Sequence, residues 1–229
     1  MTIGVLLFAT AGNRIKGDPG FPGTFRFPVE YGVVEGSYRD LINGSKDACM
    51  RLCEAARVLE NKGVSAIAGD CGLMALYQRE IMETVHIPVI SSSLILLPLM
   101  KGIIPLKSSI GILTGHSALL GMQHFKRAGV DNLERIIIQG MQDEPHFQKV
   151  VIQGTEKQQY NLMKQDVLSG VNKLLKSCKE EGPLGAVLLE CSNLAVFGGE
   201  ITREFGIPVF DINTGIYLLN SIWERELFI

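Results

Sequence analysis

One pattern occurs twice in this chain, and the duplication constrains its fold more than any other feature. The stretch AGDCGLM sets Cys71 between an apolar run and a glycine, and LLECSNL sets Cys191 at a similar corner. Sixteen positions separate Cys71 from Ile87-Pro88-Val89, and sixteen separate Cys191 from Ile207-Pro208-Val209. Glu80-Ile81 and Glu200-Ile201 fall nine and ten residues past each cysteine, and Ala66 and Ala186 fall five before it. A repeat of roughly half-chain period in 229 residues favours two similar lobes over one enlarged core.

Short apolar runs ending in Gly, Ser, Thr or Asn alternate with segments of helical period. That alternation predicts an α/β fold with mainly parallel sheets covered on both faces. The expected strands are 3–9, 29–34, 65–68, 89–91, 109–114, 135–139, 186–190 and 209–211. Ser45 is placed to cap a helix whose face carries Ala48, Cys49, Leu52, Cys53, Ala56 and Leu59. A second long helix is expected over 161–180, with Met163, Val167, Val171, Leu174, Leu175 and Cys178 inward. Helices are also expected over 73–85 and 194–205, so that each cysteine of the repeat sits at a strand-to-helix turn. The lobes are expected to span 1–100, completed by a C-terminal helix over 214–229 that packs Trp223 and Leu227, and 101–213.

A hydrophobic content of 46%, a charged content of 20% and a net charge of −2 describe a globular chain without the basic excess that nucleic acid demands. The apolar region 87–104 is broken by Pro88, Pro98, three serines and Lys101, so no membrane span is expected. The opening MTIGVLLFATAG has no basic leader and reads as a first buried strand. Five cysteines, an odd number, point to free thiols and a cytoplasmic location.

Two irregular regions stand out. Residues 12–28, with four glycines and three prolines, read as an ordered loop that either covers the site or makes a surface excursion. Residues 139–159 carry Asp143, Glu144 and His146 without metal-ligand spacing and read as a solvated connection. Cys49, Cys53 and Cys178 read as small hydrophobes on inner helix faces.

In parallel sheets, ligands bind beyond the carboxyl ends of strands, where Cys71 and Cys191 are expected. A cysteine at a helix N-terminus is expected to ionise more readily than an ordinary thiol. Gly72 and the Ser192-Asn193 pair can offer donors to a carboxylate at the same turns. Two thiols facing each other across a cleft suit proton removal from one face of a carbon and proton delivery to the other, which requires no metal.

With these residues in place, the chain resembles the aspartate/glutamate racemase superfamily, which also contains hydantoin racemases, maleate isomerases and arylmalonate decarboxylases. GVSAIAGDCGLM around Cys71, IGILTGHSAL from Ile110, and LGAVLLECSNL followed by IPVFDINT carry the resemblance, which spans essentially the whole chain. It implies two pseudo-symmetric α/β lobes with the active site between them, and an isomerase that works without a cofactor. It places Cys71 and Cys191 as the catalytic pair, and Thr10, Gly72, Ser92, Thr114, Ser192 and Asn193 near the substrate. His116 and Ser117 are assigned to capping the next helix. The partner it implies is a small carboxylic or amino acid, and homodimers occur among such proteins.

The favoured reading at this point is a racemase or epimerase acting next to a carboxylate. Maleate-type isomerisation and arylmalonate-type decarboxylation remain alternatives on the same scaffold, as does a noncatalytic ligand-binding protein. A redox role for a Cys71–Cys191 disulfide finds no C-x-x-C motif to support it. The residues after the cysteines, Gly72-Leu73 and Ser192-Asn193, differ from those of the best-known amino-acid racemases, so neither aspartate nor glutamate is assumed as the substrate.

Overall fold

The computed structural model of the protein describes residues 1–8, 14–36, 38–42, 44–178 and 182–224. Its strands are β1 (Ile3–Phe8), β2 (Val29–Val34), β3 (Ala66–Gly69), β4 (Val89–Ile90), β5 (Ser109–Thr114), β6 (Ile136–Gly140), β7 (Leu184–Leu189) and β8 (Val209–Phe210). They form two four-stranded sheets with orders β2-β1-β3-β4 and β6-β5-β7-β8. Every pairing is parallel. The expected α/β class is therefore what the chain adopts, and the two sheets have the same strand order.

The helices are α1 (Tyr38–Ile42), α2 (Lys46–Asn61), α3 (Gln78–Thr84), α4 (Leu97–Ile103), α5 (Met122–Arg127), α6 (Pro145–Phe147), α7 (Tyr160–Ser177), α8 (Gly198–Phe205) and α9 (Ile212–Ser221). Ser45 caps α2 by accepting the Ala48 N–H at 3.3 Å, an interaction worth about 1 kcal/mol. The apolar face of α2 buries Leu52, Ala56 and Leu59 against Leu6, Phe8, Val34 and Ile67 of the first sheet. Similarly, α7 buries Met163, Val167, Val171 and Leu174 against Leu113, Val187 and Leu189 of the second.

The opposite faces are covered by an exchange. Helix α4 follows β4 of the first sheet, yet its Leu97 and Met100 pack with Ile110, Ile112 and Leu188 of the second. Helix α9 follows β8 of the second sheet, yet its Ile212, Ile216 and Leu219 pack with Ile3, Val5, Ala66 and Ala68 of the first. The expected boundary at residue 100 falls inside α4.

Several local expectations need correction. The single helix expected after each cysteine is a six-residue 3-10 segment, Gly72–Tyr77 or Ser192–Phe197, followed by a short α-helix. The first segment is wedged between cores, with Met74 and Tyr77 packing on the first sheet and Ala75 joining the core of the second. The connection at Glu144 and His146 is not solvated. Glu144 is 3% exposed and accepts from Lys173 Nζ at 2.7 Å, while His146 Nε2 accepts the Gln159 N–H at 3.0 Å. Trp223 is exposed rather than packed, and Leu227 lies outside the described residues.

Candidate active site

Strands β3 and β7 occupy the same place in their sheets and end at the two corners. Asp70 and Glu190 extend the ladders by one bond each, with Asp70 N–H donating to Leu6 O at 3.0 Å and Glu190 N–H to Leu113 O at 2.9 Å. Their side chains also accept from equivalent places on the neighbouring strand. Asp70 Oδ1 takes the Phe8 N–H at 3.0 Å, and the Glu190 carboxylate takes the Gly115 N–H. The chain then turns at Cys71 and Cys191, whose carbonyls accept the first 3-10 bonds from Met74 N–H and Leu194 N–H, both at 3.0 Å.

These corners meet around a cavity of about 170 Å³. Cys71, Gly72, Thr114, Cys191, Ser192 and Asn193 all line it, so the fold brings together most of the residues proposed from sequence. Phe8, Leu41, Leu73, Leu119 and Val151 supply its apolar wall. Ser92 is not at the wall: its hydroxyl donates to Gly72 O at 2.7 Å and accepts the Leu94 N–H at 3.1 Å, fixing the Cys71 turn from behind. Thr10 lies outside the described residues. His116 borders the cavity and accepts the Ala118 N–H at Nδ1, 3.3 Å away, which is the capping role expected of it.

Three charged residues at the cavity escaped the sequence reading. Arg14, from the irregular loop, donates to Asp18 Oδ1 at 2.8 Å and to Asp70 Oδ2 at 2.5 Å. Beyond Arg14 the loop leaves the cavity. Gly17 O accepts from Asn213 Nδ2 at 2.7 Å, and Phe25 and Phe27 pack on Tyr217. Asp70 and Glu190 are the other two, and the signal for them was an acid directly before each repeated cysteine. Thr114 Oγ1 donates to Glu190 Oε2 at 2.7 Å, so its proton is committed to that carboxylate.

The electrostatics run opposite to the expectation of easily ionised thiols. Burial pushes the Cys191 thiol up to about 12, with the Glu190 charge adding to the rise and the Asn193 side chain and backbone N–H pulling it down. Burial and the charges of Glu190 and Asp70 push Cys71 well above the ordinary thiol value, against the Leu73 N–H. The 3-10 segments are too short for their dipoles to outweigh a carboxylate one residue away. Burial also raises the Asp70 carboxyl to about 6 despite Arg14. Among the described residues, no three His, Cys, Asp or Glu side chains are grouped to hold a metal. No described helix is long and apolar enough to cross a membrane.

No family model matches the chain. It is 30% identical over 219 residues to a dimethylsulfoniopropionate lyase of Durusdinium sp. clade D, covering 92% of this chain and 71% of that protein. It is 29% identical to dimethylsulfoniopropionate lyase 6 of Emiliania huxleyi strain CCMP1516, where 93% of this chain spans 57% of the relative. Among solved structures, allantoin racemase from Klebsiella pneumoniae superposes with a TM-score of 0.62 at 16% identity, covering 97% of this chain and 87% of that one. Unliganded arylmalonate decarboxylase superposes with a TM-score of 0.60 at 14% identity, covering 99% of this chain and 94% of that one. These likenesses establish the fold expected of the aspartate/glutamate racemase superfamily. The racemase activity and isomerase class expected from sequence are overturned, because the curated sequence relatives are lyases. At 30% identity over 71% of the Durusdinium protein, the chain belongs to the dimethylsulfoniopropionate lyase family.

Proposed function

We propose that this chain is a lyase that cleaves dimethylsulfoniopropionate by β-elimination. The carboxylate-bearing half of the molecule carries the proton to be removed, and the sulfonium on the next carbon is the leaving group. A base takes the α-proton, the C–H electrons form the carbon–carbon double bond, and the C–S electrons depart on sulfur. The products are acrylate and neutral dimethyl sulfide, and the proton stays on the base until solvent collects it.

The observation that carries this reading is the position of Cys191 at the cavity wall, with two Asn193 donors directed at its sulfur. Asn193 Nδ2 stands 3.7 Å from Sγ, and the Asn193 backbone N–H also favours the thiolate. Cys71 has one such donor, from Leu73, while each thiol is opposed by two carboxylates, Glu190 with Asp70 at Cys71 and Glu190 with Asp18 at Cys191. Cys191 is therefore the easier thiol to ionise and is assigned as the base. A sulfide leaving a sulfonium departs neutral and needs no proton. The reaction thus gives Cys71 no proton to deliver, and Cys71 serves as cavity wall.

Headspace detection of dimethyl sulfide from purified protein and dimethylsulfoniopropionate tests the reading. Release is expected from wild type, with a loss of at least about a thousandfold in Cys191→Ala and only about tenfold in Cys71→Ala. A folded wild-type protein that releases no dimethyl sulfide overturns the function. Equal losses in the two variants overturn the assignment of the base.

A further inference from the structure

The two acids that precede the cysteines occupy equivalent positions but have different electrical surroundings. Asp70 shares the guanidinium of Arg14 with Asp18. Glu190 is 5% exposed, and its donors among the described residues are neutral, Thr114 Oγ1 at 2.7 Å and the Gly115 N–H. Among the described residues, no Lys, Arg or His forms an ion pair with it. A buried carboxylate held by hydrogen bonds but lacking a counter-charge is costly to maintain, and folds keep such groups where a ligand supplies the missing charge.

The local packing turns that carboxylate toward the cavity. It fills the space beside Gly72, where any Cβ would overlap Glu190 Oε1, and it borders the same cavity as both thiols. Arg14 also borders the cavity, but its charge is already divided between two aspartates. The interior is thus suited to the cationic end of a small ligand.

We propose that Glu190 is the counter-ion that selects and positions the sulfonium group of the substrate. This rests on the lyase reading, and it names the residue that distinguishes a sulfonium-bearing acid from a neutral acid of the same shape. It also explains how a thiol can serve as base here. Glu190 is the largest charged contributor holding both thiols in the protonated form. A cation placed beside it cancels that influence as the substrate arrives, so ionisation of Cys191 becomes easier once there is a proton to remove.

The test compares two competitive inhibitors of like shape. One is 3-(trimethylammonio)propionate, which carries a fixed cation, and the other is 4,4-dimethylpentanoate, in which a neutral carbon replaces the nitrogen. Wild type is expected to bind the cation at least about tenfold more tightly. Glu190→Gln keeps the size of the side chain and its acceptor for Thr114, and is expected to bind both probes alike. Glu190→Asp is expected to retain the preference, which a purely structural role would not predict. Thr114→Val, which removes a donor that holds the carboxylate ionised, should weaken the preference without altering Glu190.

Absence of a preference in wild type, or an unchanged preference in folded Glu190→Gln, overturns the proposal. If Glu190→Gln does not fold, an unchanged preference in Thr114→Val overturns it instead. The outcomes separate from the lyase reading. Dimethyl sulfide release with an undiminished preference in Glu190→Gln removes the counter-ion alone. A preference that depends on Glu190 without any release removes the lyase reading alone.

Discussion

Asn193 directs its side-chain amide at Cys191 Sγ from 3.7 Å, two residues along the same 3-10 turn. Together with the Asn193 backbone N–H, it opposes the burial and the Glu190 charge that hold Cys191 protonated. Replacing the amide with a methyl group should make the thiolate harder to form. Asn193→Ala is expected to lower kcat/KM about tenfold, by the same factor at every pH below the Cys191 pKa, because both proteins ionise there in parallel. A matching loss of affinity for 3-(trimethylammonio)propionate would show that Asn193 acts on binding instead.

The pH profile follows from the same residue. A base works only when deprotonated, and the Cys191 thiol is pushed up to about 12 in the free protein. Since kcat/KM reports the free enzyme, it should climb close to tenfold per pH unit from about pH 7 to the alkaline limit of the fold. Initial rates at low substrate in overlapping buffers measure this. A plateau beginning at neutral pH would remove Cys191 as the base.

Gly72 is required by close approach. A methyl group there would overlap the Glu190 carboxylate and lie 2.5 Å from the Glu190 carbonyl oxygen, so the two corners would be forced apart. Gly72→Ala is expected to destabilise the fold by about 1–3 kcal/mol and to reduce turnover at least tenfold. Gly102 in α4, where an added Cβ meets nothing within 4 Å, provides the control. Gly102→Ala should leave activity unchanged and stability equal or slightly higher.

Asp166 of α7 reaches back to the irregular connection and accepts the His146 and Phe147 N–H groups at Oδ2, both at 2.7 Å. Asp166→Ala strands both donors in a buried place. A loss of about 1–3 kcal/mol in urea unfolding is expected, with the chemistry at the cysteines left intact in the protein that remains folded.

The strands were legible because parallel strands covered on both faces must be apolar throughout. Val29–Val34 and Ser109–Thr114 sit at the expected bounds, and the other strands end within two residues of theirs. The repeated cysteines were legible because spacing survives where local sequence changes. The direction of their ionisation was not, since it depends on burial and on the charge at Glu190, and helix-end reasoning took account of neither. Arg14 was hidden because its partner Asp70 is 56 positions away and an irregular loop carries it there. The proposed elimination was not legible from the resemblance, because removing a proton beside a carboxylate is a step that racemisation and elimination share.

The crossing of α4 and α9 between sheets has a mechanical consequence. If the chain were severed between β4 and β5, one fragment would carry the first sheet without the helix that seals its second face, and the other would carry that helix and expose it to water. Neither half is then an autonomous folding unit, and the protein should melt in a single transition. The same interlock restrains the mouth of the cavity, because a wide hinge motion would unseat both helices at once. Substrate entry is left to smaller displacements of the turns around the mouth.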